Sequence, residues 1–219
     1  MKNIFYDENG NSIDIGIRDL LKKGIGTKVY KTSDNECLKI FTNSFDDLDM
    51  FKTLSELDVD NFYKITKLLF DKDKKFIAYT AKFYQKEDID ILTMPIDYTV
   101  ENMKRLYIVS DMLSDNKIEI EDLHHENVIL NSKDIIIIDA DRYVTNVGKD
   151  CHEYNRRYIN SLFTLLYMVA PSVNFLAGEQ NSAYVNKNIR RIFFSENTPD
   201  VVYKKLSKYK RPIDYLRDK

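Results

Sequence analysis

Through the first third of the chain, apolar and polar residues alternate in short runs bounded by turn formers, the pattern of half-buried strands. Ile4-Phe5-Tyr6 and Ile13-Asp14-Ile15 flank Asn9-Gly10, a pair suited to the positive φ angles of a hairpin turn. A second hairpin is expected from residues 27–31 and 37–41, joined through Ser33-Asp34-Asn35-Glu36. The period then changes. Leu48, Phe51, Leu54 and Leu57 recur at helical spacing, with Ser44 and Asp46 as candidate caps. Residues 67–70 and 76–83 return to strand character around the turn Asp71-Lys72-Asp73-Lys74.

The second half is mainly helical. Val100, Met103, Tyr107 and Leu113 predict one amphipathic helix, and Ile159, Leu162, Phe163 and Leu166 a second that stops before Pro171. Ile189, Ile192 and Phe193, then Val202, Leu206 and Tyr209, predict two shorter ones. Residues 128–138, between the first two helices, have strand character. No repeat and no Pro/Gly-rich linker interrupts the chain. The expectation is an α+β fold: a mostly antiparallel β part with one helix over residues 1–84, a helical part over residues 85–219, and a cleft between them.

Composition narrows the class. The 219 residues are 43% hydrophobic, enough for one core or two small packed lobes. A formal net charge of −2 gives no overall basic field, so a nucleic-acid partner is not expected. Residues 182–219 nevertheless hold ten Lys or Arg against four Asp or Glu. That run reads either as the solvated side of surface helices or as a docking face for an acidic partner. Two cysteines, Cys37 and Cys151, make no disulfide framework, which points to a cytoplasmic protein. No signal peptide is expected at the N-terminus, and no apolar stretch approaches the ~18 residues of a membrane span.

Candidate chemistry concentrates in Asp122-Leu123-His124-His125-Glu126-Asn127 and the apolar runs behind it. Val128-Ile129-Leu130 and residues 135–138 flank the polar turn Asn131-Ser132-Lys133-Asp134, so they should pair as an antiparallel hairpin. If Leu130 lies opposite Ile135, Asn127 lies opposite Ile138, and Asp139 follows at once. The Asn127 amide and the Asp139 carboxylate can then emerge at one end of the ladder. Two oxygen ligands so placed suit Mg²⁺, which completes its shell with phosphate and water. Asp122 could face whatever the metal polarises. His124-His125-Glu126 is a poor zinc site, because adjacent residues rarely converge on one ion.

Asp122-Leu123-x-x-x-Asn127 followed by Asp139-Ala140-Asp141 resembles the catalytic loop and metal-binding motif of the protein-kinase superfamily. The D-L-H-x-x-N form, with His124, looks most like the aminoglycoside-phosphotransferase and small bacterial kinase branches. The resemblance implies a two-lobed protein-kinase-like fold with a reduced helical second lobe, binding ATP and Mg²⁺ between the lobes. It makes Asp122 the catalytic base, Asn127 and Asp139 the metal ligands, and places His124 near the transferring phosphate.

The first third supplies matching parts. In Cys37-Leu38-Lys39-Ile40-Phe41, alternation puts Leu38 and Ile40 on one sheet face and Cys37, Lys39 and Phe41 on the other. A lysine in such a strand either snorkels at an edge or meets an anion. By resemblance Lys39 is the lysine that holds the α- and β-phosphates, and Cys37 lies over the adenine. Gly24-Ile25-Gly26-Thr27-Lys28-Val29-Tyr30 is similar to the end of a glycine-rich phosphate loop, with Gly24, Gly26 and Val29 against the nucleotide. The two glycines also suit a plain tight turn.

Several positions depart from the family pattern. Ile120 and Glu121 replace the histidine and arginine before the catalytic aspartate, Ala140 replaces the bulky aromatic of the metal motif, and no Ala-Pro-Glu anchor follows. The helix expected to pair a glutamate with Lys39 has Met50 there, leaving Asp46, Asp47 and Asp49 as alternatives. The implied activity is transfer of the γ-phosphoryl of ATP to a hydroxyl, with protein Ser/Thr as the first choice of acceptor. A small-molecule acceptor, or a pseudokinase that keeps only the fold, stays open.

Overall fold

The computed structural model describes residues 2–42, 47–146, 148, 150–194 and 196–219. The chain divides into two compact units, one of residues 1–58 and 63–85, the other of residues 59–62 and 86–219. The fold is α+β.

Among its described residues, the first unit is a seven-stranded antiparallel sheet with one helix. Its strands are β1 (Lys2–Tyr6), β2 (Ser12–Gly16), β3 (Asp19–Lys23), β4 (Thr27–Lys31), β5 (Glu36–Phe41), β6 (Ile65–Phe70) and β7 (Phe76–Lys82), in the order β2-β1-β6-β7-β5-β4-β3. The β1–β2 hairpin forms around Asn9-Gly10, but its loop is wider than two residues. Asp7 Oδ1 accepts from the amides of Asn9 and Asn11, and Gly10 takes φ +85°. The β4–β5 hairpin is the expected one. Strand β3 is exposed throughout, so no apolar alternation announces it.

Alternation divides the sheet's two faces as the β5 pattern requires. Leu38 joins Phe5, Ile15, Leu69 and Ala78 in one apolar cluster, with Ile40 packed against it. On the opposite face Phe41 meets Phe51, Phe76 and Tyr79, with ring centroids 5.5–5.9 Å away. Phe51 and Leu54 belong to helix α1 (Leu48–Glu56), and both are fully buried. Of the candidate caps, Ser44 and Asp46 lie outside the described residues. The cap is Asp47, whose Oδ1 accepts from the Met50 amide at 3.1 Å, a bond that stabilises a helix by about 1 kcal/mol.

The second unit carries helices α2 (Ile96–Asp115), α3 (His152–Met168), α4 (Pro171–Glu179), α5 (Ser182–Ile192), α6 (Pro199–Leu206) and α7 (Pro212–Asp218). Helix α2 packs on α3 and α6. Among the described residues, no single helix is long and apolar enough to cross a membrane. Two short pairings complete the unit: β8 (Ile118–Glu119) with β11 (Val144–Thr145), and β9 (Val128–Leu130) with β10 (Ile135–Ile137).

The β9–β10 hairpin is fastened from beneath by two buried asparagines. Asn102, on α2, accepts from the Ile135 amide at 2.7 Å and donates to the Lys133 carbonyl at 3.1 Å. Asn61 donates to the Asn102 side chain at 2.8 Å and to the Ile135 carbonyl at 2.9 Å. These bonds explain why residues 59–62 belong to the second unit despite lying between a helix and a strand of the first. Phe62 bridges Ile137 in parallel, and the Asn61 carbonyl accepts from the Ile137 amide.

Candidate active site

The β9–β10 register is the one the sequence implies: Leu130 pairs with Ile135, Ile129 with Ile136 and Val128 with Ile137. One more bond extends the ladder, from the Ile138 amide to the Asn127 carbonyl at 3.0 Å. Asn127 therefore closes one strand where Asp139 leaves the other. The turn at the far end is held by Asn131, whose Oδ1 accepts from the amides of Lys133 and Asp134. The loop before β9 runs from Ile120 through a 3-10 turn at His125–Asn127.

Three contacts set that loop. Asn127 is buried, and its Nδ2 donates to the Asp122 backbone carbonyl at 2.9 Å. A carbonyl acceptor fixes which way the amide points, so Oδ1 is the atom left for a cation. Asp122 takes φ +54°, a left-handed conformation that Asp tolerates better than most residues, and its carboxylate is more than half exposed. His124 begins the 3-10 turn, its Nδ1 accepting from the Glu126 amide at 3.3 Å. The neutral ring's proton then sits on Nε2, 3.7 Å from Asp122 Oδ1.

Beyond β10, Asp139 is half-buried and accepts from the Asp141 amide at 3.2 Å. Ala140 is buried, and its carbonyl accepts from the Tyr143 amide. Tyr143 is 3% exposed, and its hydroxyl is buried with no hydrogen-bond partner among the described residues. Burial holds the phenol well above its usual pKa, and the carboxylates of Asp139 and Asp122 push it the same way.

The sequence reading missed the residue that holds the loop's entry. Asn155, on α3, is fully buried and uses every hydrogen-bonding atom of its amide. Its Oδ1 accepts from the Ile120 amide at 2.7 Å, and its Nδ2 donates to Ser114 Oγ at 2.8 Å and the Ile118 carbonyl at 2.9 Å. A signal was available. Asn155 lies four residues before Ile159, so it occupies the helix's apolar stripe, where an amide needs partners.

In the first unit, Val29 and Lys39 are directly paired across β4 and β5, and Lys31 pairs with Cys37. Val29, Cys37 and Lys39 therefore share a sheet face. Lys39 is 6% exposed, so it does not snorkel into water at a sheet edge. Cys37 is half-buried, its thiol contacts the Ala81 carbonyl at 3.5 Å, and burial raises its pKa. The glycines form the β3–β4 turn. Gly26 takes φ +81°, and a Cβ on Gly24 would come within 2.9 Å of Thr27 Oγ1. The Gly26 carbonyl accepts from the Thr42 amide, tying this turn to the end of β5.

Of the carboxylates weighed as partners for Lys39, Asp47 is engaged as the α1 cap, Asp49 is exposed, and Asp46 lies outside the described residues. Met50, at the position expected to carry the glutamate, is buried. Asn127 and Asp139 offer a magnesium ion one amide oxygen and one carboxylate. That hard, oxygen-only pair fits a cation that brings its own phosphate and water ligands. It is too small to hold a metal alone, and no group of three His, Cys, Asp or Glu side chains suited to a metal occurs among the described residues. No protein-family model matches the chain, and no curated protein matches it.

Proposed function

We propose that this chain is an ATP- and magnesium-dependent phosphotransferase of protein-kinase-like fold, its two units corresponding to the strand-rich and helical lobes. The observation that carries this reading is the end of the β9–β10 ladder. There Asn127 closes one strand, Asp139 leaves the other, and the Asn127 amide holds the Asp122 carbonyl. A hydrogen-bonded frame of that kind fits a reaction in which the protein mainly positions groups and supplies charge.

Asp122, exposed on the left-handed bend, orients the acceptor hydroxyl and takes its proton. His124, held through Nδ1, presents an Nε2–H donor beside that carboxylate. Lys39 supplies a positive charge to the nucleotide phosphates, and Gly24 and Gly26 let the backbone approach them. Val29 and Cys37, on the Lys39 face, suit an adenine ring. Asn127 and Asp139 would hold a magnesium ion, which would supply positive charge to the phosphate oxygens. Protein Ser or Thr is the first choice of acceptor, with a small-molecule hydroxyl as the alternative.

Met50 favours a second reading. A buried methionine at the position expected to carry the glutamate suits a nucleotide-binding pseudokinase. Incubation with γ-labelled ATP and Mg²⁺, alone and with protein and small-molecule acceptor pools, separates the two. Transfer of label supports the enzyme. Nucleotide binding without transfer to any pool supports the pseudokinase, and no nucleotide binding removes both.

A further inference from the structure

One cavity of the second unit is lined from α5, α6 and α7 and their flanks, not from the Asp122 loop. It is an open groove of about 930 Å³. Lys187, Arg190 and Arg191 line it from α5 and Lys205 from α6, while Phe194, 57% exposed, adds an apolar surface. Among the described residues no Asp or Glu lines it. Five cations around one concavity, these four and Lys219, repel one another and favour an anion there.

Helix termini account for part of this charge. Arg190 and Arg191 complement the C-terminal end of the α5 dipole, and Lys205 Nζ donates to the Arg191 carbonyl at 2.6 Å. Lys187, one turn before Arg190 and exposed, lies outside that last turn. Burial lowers the pKa of Lys205, so an anion entering the groove would restore some of the stabilisation its charge has lost.

We infer that this groove binds a short acidic peptide segment of a partner protein, its carboxylates meeting Lys187, Arg190, Arg191 and Lys205 and an apolar anchor resting on Phe194. Charge distribution selects a short acidic segment over a nucleic acid. Residues 182–219 carry ten Lys or Arg against four Asp or Glu, whereas the rest of the second unit carries nine against eighteen. A phosphate chain extending beyond the groove meets repulsion, while a short segment confined to it does not.

The inference does not depend on phosphoryl transfer, and its test uses no nucleotide. A fluorescein-labelled peptide of glutamates around a central phenylalanine is titrated with the full chain at low and at physiological salt, read by anisotropy. Saturable binding is expected, weakening with salt and about tenfold weaker for the exposed pair Lys187→Glu/Arg190→Glu. The same peptide with Gln for Glu should not bind. Phe194→Ser should weaken binding without altering its salt dependence. Absence of saturable binding at low salt, or binding that ignores the double substitution, overturns the proposal. So does tighter binding of a thymidine oligonucleotide of matched length, which assigns the groove to nucleic acid. A concentration-dependent dimer abolished by the double substitution assigns it to a second copy of this chain, and equally overturns it.

Discussion

The Asn127 side chain donates to the Asp122 backbone carbonyl across 2.9 Å, so the residue that ends the loop also holds its bend. The amide's nitrogen is spent on structure and its oxygen is left for chemistry. Asn127→Asp exchanges the donor for a carboxylate oxygen facing a carbonyl, leaving two acceptors together in a buried place. We expect a loss of about 1–3 kcal/mol in urea unfolding without ligands. Asn127→Ala should cost a similar amount, because the carbonyl loses its partner. An unchanged unfolding midpoint in both variants would mean that the bond contributes nothing to the loop.

Asp122 and Asp139 should separate cleanly by function. Asp122→Asn keeps the size of the side chain and leaves the Asn127 bond intact, since that bond uses the backbone carbonyl. Nucleotide affinity by calorimetry should change little, while phosphoryl transfer falls by about 10²–10⁴-fold. Asp139→Asn should weaken the magnesium-dependent part of ATP binding along with turnover. Equal transfer by wild type and Asp122→Asn removes Asp122 from the chemistry.

His152 provides a pH dependence away from both candidate sites. Its Nδ1 lies 2.9 Å from Asp150 Oδ1 and its Nε2 3.1 Å from Asp115 Oδ1. The Asp150 hydrogen bond, assisted by Asp115, raises its pKa above the usual 6.5. The folded state thus binds the proton more tightly than the unfolded state. The resulting stabilisation is fully present below about pH 6.5 and is lost as pH rises through the raised value. The His152 side chain is 36% exposed and both carboxylates are mostly exposed, so solvent screens the pair and the effect is small. Urea midpoints of wild type and His152→Gln should differ at pH 5.5–6 and converge toward pH 8. A constant difference across that range would assign His152 a role in packing instead.

Asn155 should be the costliest of these positions. Asn155→Ala takes the side-chain partner from the Ile120 amide and the Ile118 carbonyl in a dry interior and leaves Ser114 Oγ bonded only to the Ser110 carbonyl, for about 3 kcal/mol. Asn155→Asp keeps the acceptor for Ile120 and loses both donors, so its loss should also be large. If thermal unfolding of either variant matches wild type, water reaches this network and the loop's entry is not set by it.

The β9–β10 register was legible because two apolar runs flank a polar turn of fixed length, which leaves one alignment that keeps both runs paired. The β5 faces were legible from strict alternation. Strand β3 was not, because a strand exposed on both sides carries no period. Pro171 marks the stop that the α3 pattern predicts and also occupies the first turn of α4, as Pro212 does in α7, because proline suits a first turn as well as a break. Asn102 and Asn155 went unread because an amide inside an apolar stripe breaks a pattern without naming its partners. Those partners are backbone groups brought in from distant parts of the chain.

Cys37 tests the nucleotide assignment of the first unit. Its thiol is half-buried and its pKa raised, so alkylation by iodoacetamide near neutral pH should be slow but measurable. Cys151 is 1% exposed and should react only when the protein opens, which makes it an internal gauge of unfolding. An adenine resting on the face shared by Val29, Cys37 and Lys39 covers the Cys37 thiol directly. Saturating ATP should therefore abolish Cys37 alkylation at a temperature where Cys151 stays unreactive throughout. Peptide mapping by mass spectrometry distinguishes the two cysteines. Protection should disappear in Lys39→Met at the ATP concentration that saturates wild type, and return as ATP is raised. If Cys37 is alkylated at the same rate once calorimetry has established that ATP is bound, the nucleotide does not lie on that face, and the roles given to Val29 and Lys39 fall with it.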